Sequence, residues 1–414
     1  MENVLVKKRY KPKKLTTWIF TLYVAFTMSC YLLPSVPLVL PYTFMAPLML
    51  VSFILIFQSI DLIKYSVMVI VTSLFLMFTV LILQDISIVG GVNNALREIR
   101  FFLPVLWVGF ALNYAEEKQR RFILGVFLVI VSFVIFRTLQ AVQVEPMIVR
   151  LLAQDKTRLS PEINAFRRSN VAGYTFSYMM GAVVICSTWV TVKAPTKLIR
   201  VIGIISLVSS FYFVVETMYA TLLILSFVSI MIVLFVHSKN LFVRISLVLF
   251  ALVGVFFMEE ITEWLSELFS FSRVLHIKFA DIHNAIKYGD VSEVGSRPQL
   301  IKGAIENWIQ SPIFGSSTIN RAHSTIFSVL QESGIVGLSL WGATLASASK
   351  LITKKMKSMD IDTRVFGICV AYIAILSIFN DIRTIYELSI VVFCVVPIFS
   401  MFIHKKEEQI KDEI

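Results

Sequence analysis

Long apolar runs separated by short polar links set the pattern of this chain. Twelve runs lie near residues 16–33, 44–60, 65–84, 99–114, 121–139, 170–191, 199–215, 218–236, 243–258, 324–349, 364–380 and 384–403. Most approach the ~20 apolar residues that one helix needs to cross a hydrocarbon core ~30 Å thick. In lipid a helix also satisfies its own backbone polar groups. The pattern therefore predicts an all-α, polytopic transmembrane helical bundle of about twelve spans, a single integral membrane domain over residues 1–414. Two connections are too long to be simple links, 137–169 and 259–323. In the second, Ile261, Leu265, Leu268, Leu275, Phe279, Ile282 and Ile286 recur at steps of three and four, broken at Ser272. That period predicts one or two amphipathic helices, packed on the bundle, lying on the membrane surface or covering a site. A further short helix is expected from Ser296, where Ser296 and Gln299 have the form of a capping box and Pro298 suits a first turn. On it Ile301, Ile305 and Trp308 share a face with Arg297. It should end near Ser311-Pro312, with Gly315 permitting a turn.

Composition strengthens this reading. Of 414 residues, 57% are hydrophobic and 16% charged, against about 25% charged in an ordinary soluble domain. A water-soluble fold has no place for so much apolar surface. The net charge of +11 does not point to nucleic acid, because the basic residues are scattered among the apolar runs. They act as topology signals. Lys7, Lys8, Arg9, Lys11, Lys13 and Lys14 precede the first run, and alternate links carry Lys64, Lys118, Arg120, Arg121, Lys193, Lys197, Arg200, Lys239, Arg244, Lys350, Lys354, Lys355, Lys357 and Arg364. The short links of the other side hold only Arg97, Arg100 and Arg383. Because basic links stay on the cytoplasmic side, both termini are expected there, with the 137–169 and 259–323 loops outside. No small-residue cleavage site follows the first run, so a retained first helix is expected. Cys30, Cys186, Cys369 and Cys394 all fall in apolar runs and are expected as free, buried thiols.

Candidate chemistry concentrates on the outer side. The 137–169 loop carries Arg137, Arg150, Lys156, Arg158, Arg167 and Arg168 against three acids. It is either a solvated loop or a docking surface for phosphate, to which arginine offers a planar, bidentate donor set. Arg297, on an apolar helix face, calls for a partner, either a protein carboxylate or a ligand's phosphate. His323 opens the tenth run, and Glu332 lies nine residues further in, ~14 Å along a helix. An ionisable group at such depth marks a functional site or a pair with a neighbouring helix. His276 and His283, seven residues apart, make a poor metal site, and neither metal nor cofactor is expected.

Taken together, Arg297, Trp308, Pro312 to Gly315, His323 and the run Glu332-Ser333-Gly334-Ile335-Val336-Gly337-Leu338 resemble the signature of the O-antigen polymerase/ligase superfamily. The segment Arg167 to Tyr174 is similar to another region of that family. The resemblance implies a GT-C-like architecture in the bacterial cytoplasmic membrane. It also implies metal-independent glycosyl transfer from an undecaprenyl-pyrophosphate-linked oligosaccharide at the outer leaflet. On that basis Arg297 would hold the donor pyrophosphate, and His323 would activate the acceptor or make a second phosphate contact. Glu332 would orient His323 or its neighbours, and Arg167, Arg168 and Arg137 would be further phosphate contacts. Expected partners are lipid-linked oligosaccharides, membrane lipid and a chain-length regulator. Many members, ligases especially, carry a Ser-Arg pair between the seventh and eighth spans. Here Glu216-Thr217-Met218-Tyr219 stands in its place, which favours a polysaccharide polymerase for O-antigen or capsule over a ligase acting on the lipopolysaccharide core. A flippase or transporter is the rival from another class. The lack of an internal repeat and the outward clustering of ionisable residues argue against it.

Overall fold

The computed structural model describes residues 14–36, 51–52, 54, 60–83, 88–153, 161–217, 219–270, 273–288, 296–316 and 323–412. All regular structure among them is helical. In chain order the helices are α1 (Lys14–Leu32), α2 (Ile60–Leu83), α3 (Ile88–Phe102), α4 (Pro104–Asn113), α5 (Glu117–Val144), α6 (Ile148–Leu151) and α7 (Pro161–Arg168). Then follow α8 (Tyr174–Lys193), α9 (Lys197–Glu216), α10 (Ala220–His237), α11 (Leu241–Phe256), α12 (Met258–Leu268), α13 (Arg273–Tyr288) and α14 (Ser296–Gln310). The chain closes with α15 (Thr325–Lys357), α16 (Arg364–Phe379), a 3-10 turn (Ile382–Thr384), α17 (Tyr386–Ile390), a π-helical turn and α18 (Val396–Asp412).

Eight of these are long and apolar enough to cross a membrane: α1, α2, α5, α8, α9, α10, α15 and the composite Tyr386–His404. The segments Leu241–Gly254 and Met258–Leu268 pass the same test only as a bent pair, and α16 is a shorter apolar helix. The apolar run 44–60 lies largely outside the described residues. The run 99–114 is divided between α3 and α4 at Leu103, because Pro104 has no N–H to continue the ladder. Side chains such as Ile19, Phe26, Ile205, Val208, Leu249 and Phe250 stay exposed on the outside of the bundle. So much apolar surface on the outside of a packed protein suits lipid and not water.

Hydroxyls stitch the helices together inside. Thr72 bonds Thr344 at 2.8 Å and Thr79 bonds Ser333 at 2.8 Å, both between α2 and α15, a common device where apolar packing alone gives little specificity. The four cysteines are free thiols, three of them buried and Cys186 partly so. The starts of α1 and α5 meet the last helix at one end of the bundle. There Trp18 packs on Phe122, and Arg121 stands 5.7 Å over the Phe402 ring. Lys354 pairs with Asp61 at that same end. At the opposite end the Asn380–Thr384 link, the start of α15 and the start of α8 come together. This second end carries the features below.

Both long connections differ in detail from expectation. Helix α5 runs on to Val144, so Arg137 lies on a helix and not in a loop. The extension is held because Thr138 Oγ1 accepts from the Ala172 N–H at 2.8 Å, and Ala141 and Val142 pack on Ile148, Val149, Leu152 and Val171. In the second connection, the apolar stripe divides into α12 and α13, which fold back on each other. Ser266 meets the His276 ring, His283 Nδ1 lies 3.2 Å from the Glu259 carbonyl, and Phe269 stacks on Phe279. The seam of this hairpin mixes hydroxyl and imidazole contacts with the stacked phenylalanine pair. Trp264, Leu268, Ile277 and Ile286 point outward and are exposed.

Candidate functional site

The turn at Pro312–Ser316 packs back against the first half of α15. Helix α15 breaks at Gly334, whose φ of 63° lies in the left-handed region. The Pro312–Gly315 turn fits into that break. The Ile335 N–H donates to the Pro312 carbonyl at 2.9 Å and Val336 N–H to that of Ile313 at 3.3 Å, while Ser316 N–H donates to the Gln331 carbonyl at 2.9 Å. The turn thus satisfies backbone groups that a broken helix would leave unpaired. Glycine is required on both sides. A Cβ on Gly334 would run into the Ile313 carbonyl, and one on Gly315, with φ of 87°, would run into the backbone of Gln331 to Ser333. Trp308 adds a clamp, its Nε1–H donating to the Pro312 carbonyl at 3.0 Å. The Pro-x-x-Gly and Glu-x-Gly elements of the sequence are therefore two halves of one lock.

The lock sets Glu332 immediately before the break, facing the Asn380–Thr384 link. Arg383, fully buried, donates to both Glu332 oxygens at 2.7 and 3.2 Å and to both Asp381 oxygens at 2.8 and 2.9 Å. Glu98 lies 3.6 Å from Arg383 and 3.6 Å from Arg97, and Arg97 lies 3.5 Å from Glu332. Two arginines thus face three carboxylates across α3, α15 and the link. Burial alone would raise the Asp381 carboxyl, but the Arg383 guanidinium outweighs it and holds that carboxyl well below the usual range. Arg383 is held on both sides by bidentate partners. Arg97 touches its carboxylates only at ion-pair distance, and its side chain keeps 16% exposure.

His323 is exposed and adopts φ 50° directly before the Ser324 cap of α15. The start of that helix is fixed. Thr325 N–H and Oγ1–H both donate to the Asn380 carbonyl, and Ile382 N–H donates to Thr325 Oγ1 at 2.8 Å. Arg297 lies in the first turn of α14, which packs on α15 through the buried Ala304; the Arg297 side chain lies outside the described residues. Glu332 is met by arginines, so its visible work is to anchor the link. Arg167 Nη2 donates to the Leu152 carbonyl at 2.7 Å, and Arg137 Nε to the Ser169 carbonyl at 3.2 Å. Both are therefore engaged by backbone carbonyls of the first connection, while Arg168 is exposed. Where a Ser-Arg pair would stand, Thr217 is buried and Tyr219 Oη donates to the Val149 carbonyl at 3.3 Å; Met218 lies outside the described residues.

Sequence reasoning noted Arg97 and Arg383 only as topology signals and passed over Glu98 and Asp381. The signal was present in principle: Asn-Asp-Ile-Arg directly after an apolar run, and Arg-Glu beside another, are costly placements that call for mutual pairing. No family model matches this chain, and no curated protein matches it.

Proposed function

We propose that this protein is a polysaccharide polymerase of the bacterial cytoplasmic membrane, moving glycan from an undecaprenyl-pyrophosphate donor to a lipid-linked acceptor at the outer leaflet. The observation that carries the reading is the turn-and-break lock. It supplies a physical reason for the spacing of Pro312, Gly315, Glu332 and Gly334, and it ties the helix bearing Arg297 to the one that His323 precedes. The eight long apolar helices, the bent pair, α16, the divided run 99–114 and the run 44–60 together suit a twelve-span, GT-C-like bundle. Its two ends differ in charge as the positive-inside bias requires if Lys14 and His404 face the cytoplasm.

In this reading the bond from the anomeric carbon to the donor pyrophosphate breaks as the acceptor hydroxyl attacks. Negative charge grows on the leaving diphosphate, and preorganised cations stabilise it. Arg297 takes that role. Arg97, half-committed to its carboxylates, can supply the second cation that the Glu216–Tyr219 hairpin lacks, alongside the exposed Arg168. His323 accepts the acceptor's proton or makes a second phosphate contact. No step calls for a metal. Purified protein incubated with lipid-linked repeat units should produce a glycan ladder, and Arg297→Ala and His323→Ala should each slow it ~100-fold or more. Wild-type rates from both variants would overturn these assignments. Transfer to lipid A-core without a ladder would mark a ligase, and translocation without transfer a flippase.

A further inference from the structure

Beside the charge cluster, at the same end of the bundle, lies a second polar group that the scheme above does not use. It is built from the first turn of α8 and the two sides of the last link. Tyr174 Oη donates to Asn380 Oδ1 at 2.8 Å, and its neighbour Thr175 donates through Oγ1 to Glu387 Oε1 at 2.6 Å. Each bond uses half of its partner. Among the described residues the Asn380 amide nitrogen, the second Glu387 oxygen and the Tyr31 hydroxyl have no hydrogen-bond partner. Asn380 is 0% exposed. Folded proteins rarely leave such groups unmet, and those that persist commonly mark a ligand or an ordered water. Next to them the Tyr31 and Tyr386 rings stand edge to face with centroids 5.9 Å apart, and the Arg100 guanidinium lies 5.6 Å over the Tyr386 ring.

The chemistry narrows the occupant. The open positions are an amide donor, a carboxylate acceptor and a phenol able to do either, beside aromatic surface. A phosphate would meet the Glu387 carboxylate, and a cation would meet Arg100. A sugar carries neutral hydroxyls that donate and accept at once, and C–H faces that pack on aromatic rings. We propose that these residues form a saccharide-binding subsite for the terminal sugar of the acceptor. Glu387 accepts a hydrogen bond from one hydroxyl, Asn380 donates to another, and the Tyr31–Tyr386 pair presents the apolar contact. Glu387 is a binding residue here; the proton of the attacking hydroxyl remains with His323. The inference rests on the glycosyl-transfer reading.

The test separates the two. Initial rates are measured with undecaprenyl-linked donor and, as a soluble acceptor, the repeat-unit oligosaccharide on a short alkyl chain. Glu387→Gln should raise the acceptor KM about threefold to tenfold, the worth of one hydrogen bond, and leave the donor KM unchanged. Thr175→Val, which leaves the carboxylate in place but frees it to turn, should give a smaller rise in the same direction. An unchanged acceptor KM in Glu387→Gln would overturn the subsite, whether kcat holds or falls with thermal stability as a purely structural role would have it. Should the wild-type protein transfer nothing, the glycosyl-transfer reading fails and calorimetric titration with the same oligosaccharide decides the subsite alone. Binding by the wild type that Glu387→Gln loses would sustain it, and equal binding or none by both would remove it.

Discussion

Arg383 shows what a charge requires when it is buried among apolar helices. Its guanidinium donates to four carboxylate oxygens, two on Asp381 and two on Glu332. Substituting Arg383→Met would leave those acids and Glu98 facing one another in a dry setting, at a cost of about 3–5 kcal/mol. The expected result, read by thermal unfolding in detergent, is a large loss of folded protein. Glu332→Gln keeps the shape and one hydrogen bond and should lose less. Acid should act through Asp381. Its carboxyl is held below the unfolded value of ~3.9, so its stabilising contribution is complete at neutral pH and fades as pH falls below about 4. Melting temperature should therefore drop below that pH, and Asp381→Asn should flatten the drop. Glu332 stood out in the sequence because it interrupts an apolar run. Its partners did not, since Asp381 and Arg383 are far from it in the chain and side-chain pairing across a bundle leaves no periodic trace.

The broken helix α15 is a case where chain geometry, and not side-chain chemistry, dictates the residue. Gly334→Ala would force a Cβ into the Ile313 carbonyl at a positive φ, a combination that costs on the order of 1–3 kcal/mol from the backbone alone. Gly342→Ala, in the same helix with open space around it, should be neutral or slightly stabilising. Comparing the two by thermal melts isolates the lock from generic helix effects. Equal behaviour would show that the lock carries no stability. The apolar runs announced most helices by length and hydrophobicity, and the amphipathic period announced α12 and α13. The break at Gly334 was not announced, because a glycine in an apolar run resembles any helix–helix packing glycine. Neither was the reach of α5 to Val144. Its last turns are held by Thr138 and by contacts with α6 and the start of α8, which are tertiary effects that the mixed sequence of that stretch does not carry.

Across the bundle, basic links gather at the end where Trp18, Phe122 and Phe402 meet, and the lock, the charge cluster and the Asn380–Glu387 group gather at the other. A membrane-impermeant thiol reagent gives a direct check in a variant lacking its native cysteines. Cysteine placed at His323 should label in intact cells, and cysteine at Lys239 only after permeabilisation; the reverse would invert the topology. The all-helical, membrane-crossing character could be read from the sequence because hydrophobic length is a property of single segments. The way distant segments meet at the Asn380 end could not. The α12–α13 hairpin carries one more consequence. Trp264, Leu268, Ile277 and Ile286 are exposed on it together with Glu260, Glu263, Glu267 and Lys287. Such a mixed outer face suits a boundary between apolar and aqueous surroundings, so the hairpin is fitted to lie at the lipid–water interface.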